Sequence, residues 1–360
     1  MAEVAHGQRF PFDGPSALGG IRQLQNPRHP LQFPKILPIF AVGACRFRKQ
    51  LRGMKRRKFY KNTWTHCYQM TADYGVLFYT YSDHLVYFTH YCTLARKHRI
   101  RVLALCQMPD HVHDTILTDR KENQERFKRE TNTFFSKRHN ERFRRKGSVL
   151  KGPYGSAPKF EDKRIRSNLI YVENNPVERK LVVRAEKYRW NYLTYAASDH
   201  PFSEKLVIRK ASWPMQKAIR EVKAQFKAGR PMGYAQLERL YRPLDRREGL
   251  QLTDFIITTY NVIDYQAAIA LFGSYENLLT AAHSTTGSEY EIKERFVGKS
   301  DACYNKMTSF LLREGIVKDI HDLLSFSDDE KYEIYLLLQR TIDALPEQVA
   351  GFLHLTMKKE

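Results

Sequence analysis

The chain has 360 residues, 42% of them hydrophobic, enough for a sizeable core and roughly two domains. Charged residues at 28% and a mean hydropathy of −0.56 argue against a membrane protein and against a wholly disordered chain, and no run approaches the roughly 18–20 apolar residues of a bilayer span. The 60 Lys and Arg against 39 Asp and Glu give +21, all of it in residues 1–200 (38 basic, 17 acidic), because residues 201–360 carry 22 of each; that is the footprint of a polyanion-binding domain with a neutral module attached.

Residues 1–54 are rich in Pro, Gly, Gln and Arg without helical or strand periodicity, and carry no signal-peptide pattern. They read as a flexible basic extension, and Met54, just before KRRKFY, is an alternative start. The five cysteines (45, 67, 92, 106 and 303) form no CxxC pair and fit reduced thiols in a cytosolic protein better than disulfides or a zinc site.

From Trp64 an α+β alternation begins. THCYQMTA reads as a strand, and SDHLVYFTHYCTLARKHR as a helix with Ser82 at its cap. RVLALCQM and HVHDTIL read as two further strands around the turn MPD. Residues 119–143 make a long basic amphipathic helix with Phe127, Phe134 and Phe135 on its apolar side. KGSVLKGPYGSAPK is a Gly-rich loop, and KRIRSNLIYVENN is a helix expected to stop before Pro176, since proline disfavours helical backbone in the residue before it. Beyond about residue 206 the pattern is all helix, over 214–228, 234–242, 250–282, 301–314 and 328–355. The last segment, with Pro346 suited to a first helical turn, has the look of a helix-turn-helix or an ordinary helical hairpin.

The chemistry-bearing constellation is His111-Val112-His113 followed some sixty residues later by Tyr171 and Asn175. On a strand, positions i and i+2 face one way, and on a helix positions i and i+4 share a face, so the two pairs converge if helix packs on strand. Two imidazoles and one neutral oxygen leave positions open for phosphate oxygens and water, a shell suited to Mg or Mn. A phenol at Tyr171 becomes a good nucleophile only when a nearby charge helps it ionise.

These residues carry a resemblance. QMPDHVH after an apolar strand, then YVENNPVERKLV and YRWNYLTYA, resembles the single-tyrosine HUH transposases, in particular the REP-associated tyrosine transposases. The likeness covers about residues 55–200. It implies an HUH-nuclease (ferredoxin-like) antiparallel sheet covered by helices over 55–205, with an all-α accessory domain at 206–360. It also implies a metal-dependent transposase or endonuclease that cuts and rejoins single-stranded DNA at hairpin ends through a 5′-phosphotyrosine. By resemblance His111, His113 and Asn175 are the ligands of a divalent metal and Tyr171 is the nucleophile. Relatives include monomers and homodimers.

Two departures accompany it. Asp114 stands where an apolar residue commonly follows the second histidine, and as the next strand residue it is expected to point away from the metal. The loop before the tyrosine helix reads KGPYGSAPK, where Lys151, Tyr154 and Lys159 are candidates for DNA contact. On the preceding helix, Lys128, Arg129, Lys137, Arg138, Arg142, Arg144 and Arg145 are expected to track a DNA backbone. Trp190, Tyr192 and Tyr195 are either stacking residues or core, with core favoured for Trp190. Two other functions fit the same residues: a domesticated protein that binds hairpin DNA without cutting it, and a nickase of the relaxase or replication-initiator kind.

Overall fold

The structure is a computed structural model, and it describes residues 58–284 and 300–355; the expected extension at 1–54 lies outside them. Four strands, β1 (Trp64–Met70), β2 (Arg101–Gln107), β3 (His111–Leu117) and β4 (Gly155–Lys159), form an antiparallel sheet in the order β2-β3-β1-β4. Helix α1 (Tyr81–Lys97) links β1 to β2, α2 (Lys121–Phe143) links β3 to β4, and α3 (Asp162–Glu178) follows β4. The chain order is therefore β1-α1-β2-β3-α2-β4-α3, with β3 inserted between β1 and β2 in the sheet.

Each strand has a local cause. Within β2, VLALC is a continuous apolar run, and six of the strand's seven residues are buried, the pattern of a strand covered on both faces. On β3, His113 meets Asn175 of α3, while the next residue, Asp114, meets Lys128 of α2. Successive strand side chains point to opposite faces, so α3 and α2 cover opposite faces of the sheet. The Gly-rich stretch expected as loop contains β4, an edge strand. Gly155 lies opposite Tyr68 in the register, and a Cβ there would fall inside the Tyr68 ring, so the glycine is what lets β4 approach β1.

Three boundaries differ from the sequence reading. The α1 cap is Thr80 rather than Ser82: Thr80 and Asp83 form a reciprocal capping box, with the Thr80 N–H donating to Asp83 Oδ2 at 2.8 Å. Helix α3 does not stop at Pro176 but runs to Glu178. Asn174, Asn175 and Pro176 are all buried, the Asn174 amide donates to Ala282 O at 2.7 Å, and this packing outweighs the local preference against helix before proline. The expected helix at 250–282 is three helices, because Asp264 caps a new start and Gly273 takes φ +84°, a left-handed conformation that ends a helix.

The later helices are α4 (Trp213–Lys227), α5 (Tyr234–Tyr241), α6 (Arg246–Tyr260), α7 (Tyr265–Ala270), α8 (Tyr275–Ser284), α9 (Ala302–Arg313), α10 (Asp328–Thr341) and α11 (Pro346–Leu353). One apolar cluster joins Cys67 and Leu105 of the sheet and Phe88 of α1 to Val222, Leu237 and Ile256 of α4–α6. A second joins Val76 and Tyr79, just ahead of α1, to Met307, Leu311, Leu338 and Phe352 of α9–α11. Within it the Tyr79 hydroxyl donates to Phe352 O at 2.6 Å, and Val349, Phe352 and Leu353 of α11 are fully buried. None of the described helices is long and apolar enough to cross a membrane. The four described cysteines, 67, 92, 106 and 303, are all buried.

Candidate functional site

Strand β3 turns His111 and His113 toward α3, and α3 answers with Tyr171 and Asn175 one helical turn apart on one face. The Asn175 carboxamide spans both imidazoles: Oδ1 lies 3.3 Å from His111 Nε2, and Nδ2 lies 3.2 Å from His113 Nε2. All three side chains are buried. The outward ring nitrogens are engaged as well. His111 Nδ1 sits 2.5 Å from Asp110 Oδ1, and His113 Nδ1 sits 3.0 Å from His66 Nε2, on the neighbouring strand β1.

Burial works against the charge on Asp110, but the His111 imidazole, the hydrogen bond between them and the Arg179 guanidinium hold its carboxyl below the ordinary range. As a carboxylate it accepts the His111 Nδ1 proton. His111 Nε2 faces Asn175 Oδ1 at 3.3 Å: as an imidazolium it donates to that oxygen, and as a neutral ring its lone pair and the amide oxygen can share a cation. Two imidazole nitrogens and an amide oxygen thus fit a divalent ion, and Asp110 and His66 are placed to fix the ring orientations from behind, as partners of metal-bound histidines do. Among the described residues no cluster of three or more His, Cys, Asp or Glu side chains is arranged to hold a metal, so an ion here would rest on this neutral donor set.

Tyr171 is set edge-on to the rings of His66 and His113, with centroids 5.6 and 5.4 Å away, and is only 5% exposed. Its helix is anchored at the far end: Arg179 Nη1 lies 3.6 Å from Asp301 Oδ2, and the Asp301 N–H donates to Arg179 O at 2.9 Å. Burial and the nearby charge of Asp110 push the Asp301 carboxyl up to about 7.

Asp114 points away from the site, as expected, and its partner is Lys128, whose Nζ contacts both carboxylate oxygens, Oδ1 at 2.6 Å. Lys128 is therefore not on a DNA-facing surface: it is 6% exposed, and Asp114 keeps its ammonium charged against the cost of burial. Lys159 is likewise withdrawn, 5% exposed on β4. Tyr154 is half-buried, receiving a hydrogen bond from Gln124 at 3.4 Å, with Lys128 Nζ 5.6 Å from its ring centroid. Lys151 is exposed and lies 4.4 Å from the Tyr74 ring centroid.

On α2 and just after it, Arg129, Lys137, Arg138, Arg142 and Arg144 are exposed. Lys137 faces Glu141 at 3.8 Å, Arg142 faces Glu238 at 3.2 Å, and the half-buried Arg145 bonds Asp73 at 3.0 Å. Phe134, expected to be apolar-side, is 41% exposed. Trp190, Tyr192 and Tyr195 are core: Trp190 stacks on His84 at 4.0 Å, and all three are buried too deeply to meet bases.

The sequence reading misses His66 and Asp110. Asp110 stands inside the QMPDHVH motif, and its adjacency to His111 is the available signal. His66 is 47 positions before His113 and on a different strand, so only the β1–β3 pairing shows the relation.

No protein-family model matches the chain, and no curated protein matches it. A solved structure of a REP-associated tyrosine transposase bound to a REP hairpin is similar to it, at 16% identity and a TM-score of 0.33, over 38% of this chain and 80% of that one. A likeness of that size assigns no activity; the side chains of the cluster itself have to do so.

Proposed function

We propose that this protein is a single-strand DNA transposase or endonuclease of the HUH kind, with His111, His113 and Asn175 as ligands of Mg or Mn and Tyr171 as nucleophile. The observation that carries the reading is the convergence of both Nε2 atoms, of His111 and His113, on the Asn175 carboxamide at 3.3 and 3.2 Å, beside a tyrosine on the same helix face. The order β1-α1-β2-β3-α2-β4 in a β2-β3-β1-β4 sheet supports a ferredoxin-like core. A divalent ion at this place supplies charge that polarises a scissile phosphate and offsets the charge that develops as it is attacked.

The chain's own groups do the rest. Asp110 and His66 hold the two imidazoles in orientation. Tyr171 Oη forms a bond to phosphorus as the bond to the 3′ oxygen breaks, leaving a 5′-phosphotyrosine and a 3′-hydroxyl that takes up a proton in exchange for the one the phenol gives up. The bond energy stays in the tyrosyl ester, so rejoining requires no ATP. Arg129, Arg138 and Arg144 are exposed on or beside α2 and suit contact with the phosphates of a folded hairpin end.

The 5% exposure of Tyr171 favours a second reading, a protein that binds hairpin DNA without cutting it. Labelled single-stranded hairpin oligonucleotides incubated with Mg or Mn separate the two on a denaturing gel. Metal-dependent cleavage that the His111→Ala, His113→Ala double variant lacks supports the nuclease, and binding without cleavage under both metals supports the second reading.

A further inference from the structure

Both halves of the histidine site are held from behind by the C-terminal helices. On the β3 side, Pro109 O accepts from the N–H groups of Leu77 and Phe78 at 2.6 and 3.1 Å, and the Val76 N–H donates to Gly351 O of α11 at 3.2 Å. The turn that carries Asp110 into His111 therefore rests on a segment that α11 backs. On the α3 side the joint is Ser300-Asp301, immediately ahead of α9. The Asp301 N–H donates to Arg179 O at 2.9 Å, the Ser300 hydroxyl donates to Lys180 O at 3.3 Å, and the Gln348 amide of α11 donates to Ser300 O at 3.0 Å.

Arg179 stands where these two routes meet. It caps α3, its N–H donating to Asn175 O at 3.0 Å. Its side chain is 12% exposed and comes within 3.6 Å of Asp301 Oδ2, on a side chain that is 1% exposed. The same guanidinium acts on Asp110: burial works against that carboxylate, and His111 and Arg179 hold it below the ordinary range. One cation thus serves two carboxylates, one backing His111 at 2.5 Å and the other at the start of α9. A cation that only met the C-terminal dipole of α3 would do so from the surface, without the desolvation that this arrangement costs.

We propose that Arg179 and Asp301 are positioning residues of the histidine site: held between Asp110 and the start of α9, the guanidinium fixes the last turn of α3 and so sets how the Asn175 carboxamide meets the two imidazoles. Helices α9 and α11 are then the back wall of the site. The placing of the amide is a property of the chain alone, and its consequence for metal affinity rests on the metal reading above.

Two readouts on the full chain decide it at pH 8, above the value of about 7 to which the Asp301 carboxyl is pushed: the Asn175 side-chain amide signal in nitrogen-15 NMR spectra of the metal-free protein, and Mn affinity by calorimetry. In wild type Asn175 Nδ2 lies 3.2 Å from His113 Nε2, so its signal is expected to be displaced from that of a solvated amide. Arg179→Gln is expected to move the signal toward the solvated position and to weaken Mn about tenfold. Asp301→Asn, which keeps the shape and the backbone bond, is expected to act in the same direction. The double variant is expected to lose no more than Arg179→Gln alone, because Asp301 acts through Arg179. Losses that add would separate Asp301 from the site and overturn the pairing. A lowered urea midpoint with wild-type amide signal and Mn affinity would make the pair merely structural, overturning the proposal and leaving the metal reading standing. An amide signal that moves in the variants, in a protein that binds no Mn, supports the proposal and removes the metal reading. An unmoved signal without Mn binding overturns both.

Discussion

His66 Nε2 lies 3.0 Å from His113 Nδ1, and the two rings stack at an interplanar angle of 27°. His66 thereby does for His113 what Asp110 does for His111: it engages the outward nitrogen and leaves Nε2 directed at the Asn175 carboxamide. The two backing groups differ in kind, one an imidazole and the other a carboxylate, so the two rings would not be equivalent as ligands of the proposed ion.

His66→Ala is expected to lower Mn affinity by about 10–100-fold while leaving the fold intact, because an unbacked ring loses its fixed orientation. Calorimetric titration with Mn reads this directly. An affinity equal to wild type would show that His113 is held by its packing alone.

The Lys128–Asp114 pair predicts an asymmetry in stability. Lys128→Met alone leaves a buried carboxylate and is expected to cost about 3–5 kcal/mol, whereas Lys128→Met with Asp114→Leu is expected to recover most of that loss. Urea unfolding of the two variants checks it, and an equal cost in both would mean the pair contributes more than its mutual compensation.

Helices α9–α11 are tied to α1 through the buried pair of His321 and Asp83, 3.0 Å apart. Burial works against the His321 charge, but Asp83 and Asp319 raise its pKa from 6.5 to about 9. A raised folded-state pKa gives stability that is full below pH 6.5 and is lost as pH climbs through about 9. For Asp83 burial again opposes the charge, yet His321 lowers its pKa from 3.8 to about 2, so that contribution is present above pH 3.8 and lost as pH falls through about 2. The urea midpoint is expected to drop as pH rises from about 7 through about 9, and the drop is expected to shrink in His321→Gln; the same slope in both would remove this pair as its cause.

The exposed arginines predict a salt signature. Arg129→Ala with Arg138→Ala is expected to weaken hairpin binding regardless of sequence and to lower the slope of log K against log salt by about 2. Lys128→Met is expected to leave that slope unchanged, since Lys128 is spent on Asp114. Binding isotherms from roughly 50 to 200 mM salt, the range over which such contacts weaken steeply, measure both.

Much of the sheet is legible in local pattern, because β1, β2 and β3 each carry a strand's alternation or a buried strand's apolar run. The convergence of His111, His113, Tyr171 and Asn175 is legible for the same reason, as spacing on a strand and on a helix fixes which side chains share a face. The rest depends on contacts between distant segments. The β4 strand is hidden in a Gly-rich stretch whose glycine answers a ring on β1. The passage of α3 through Pro176 depends on Ala282, more than a hundred residues away. Lys128 reads as one more cation in a basic run, and only its position over Asp114 removes it from the surface.

In the proposed reaction, attack of Tyr171 on a DNA phosphate beside His111, His113 and Asn175 leaves a covalent adduct that can be seen. Labelled hairpin oligonucleotide is incubated with the protein and Mn, then run under denaturing conditions. A covalent protein–DNA band is expected, with a digest that places the label on Tyr171, and the band is expected to be lost in Tyr171→Phe and kept in Tyr154→Phe. A covalent band that survives Tyr171→Phe would move the nucleophile to another residue, and tight binding with no band at all would remove the cleavage chemistry.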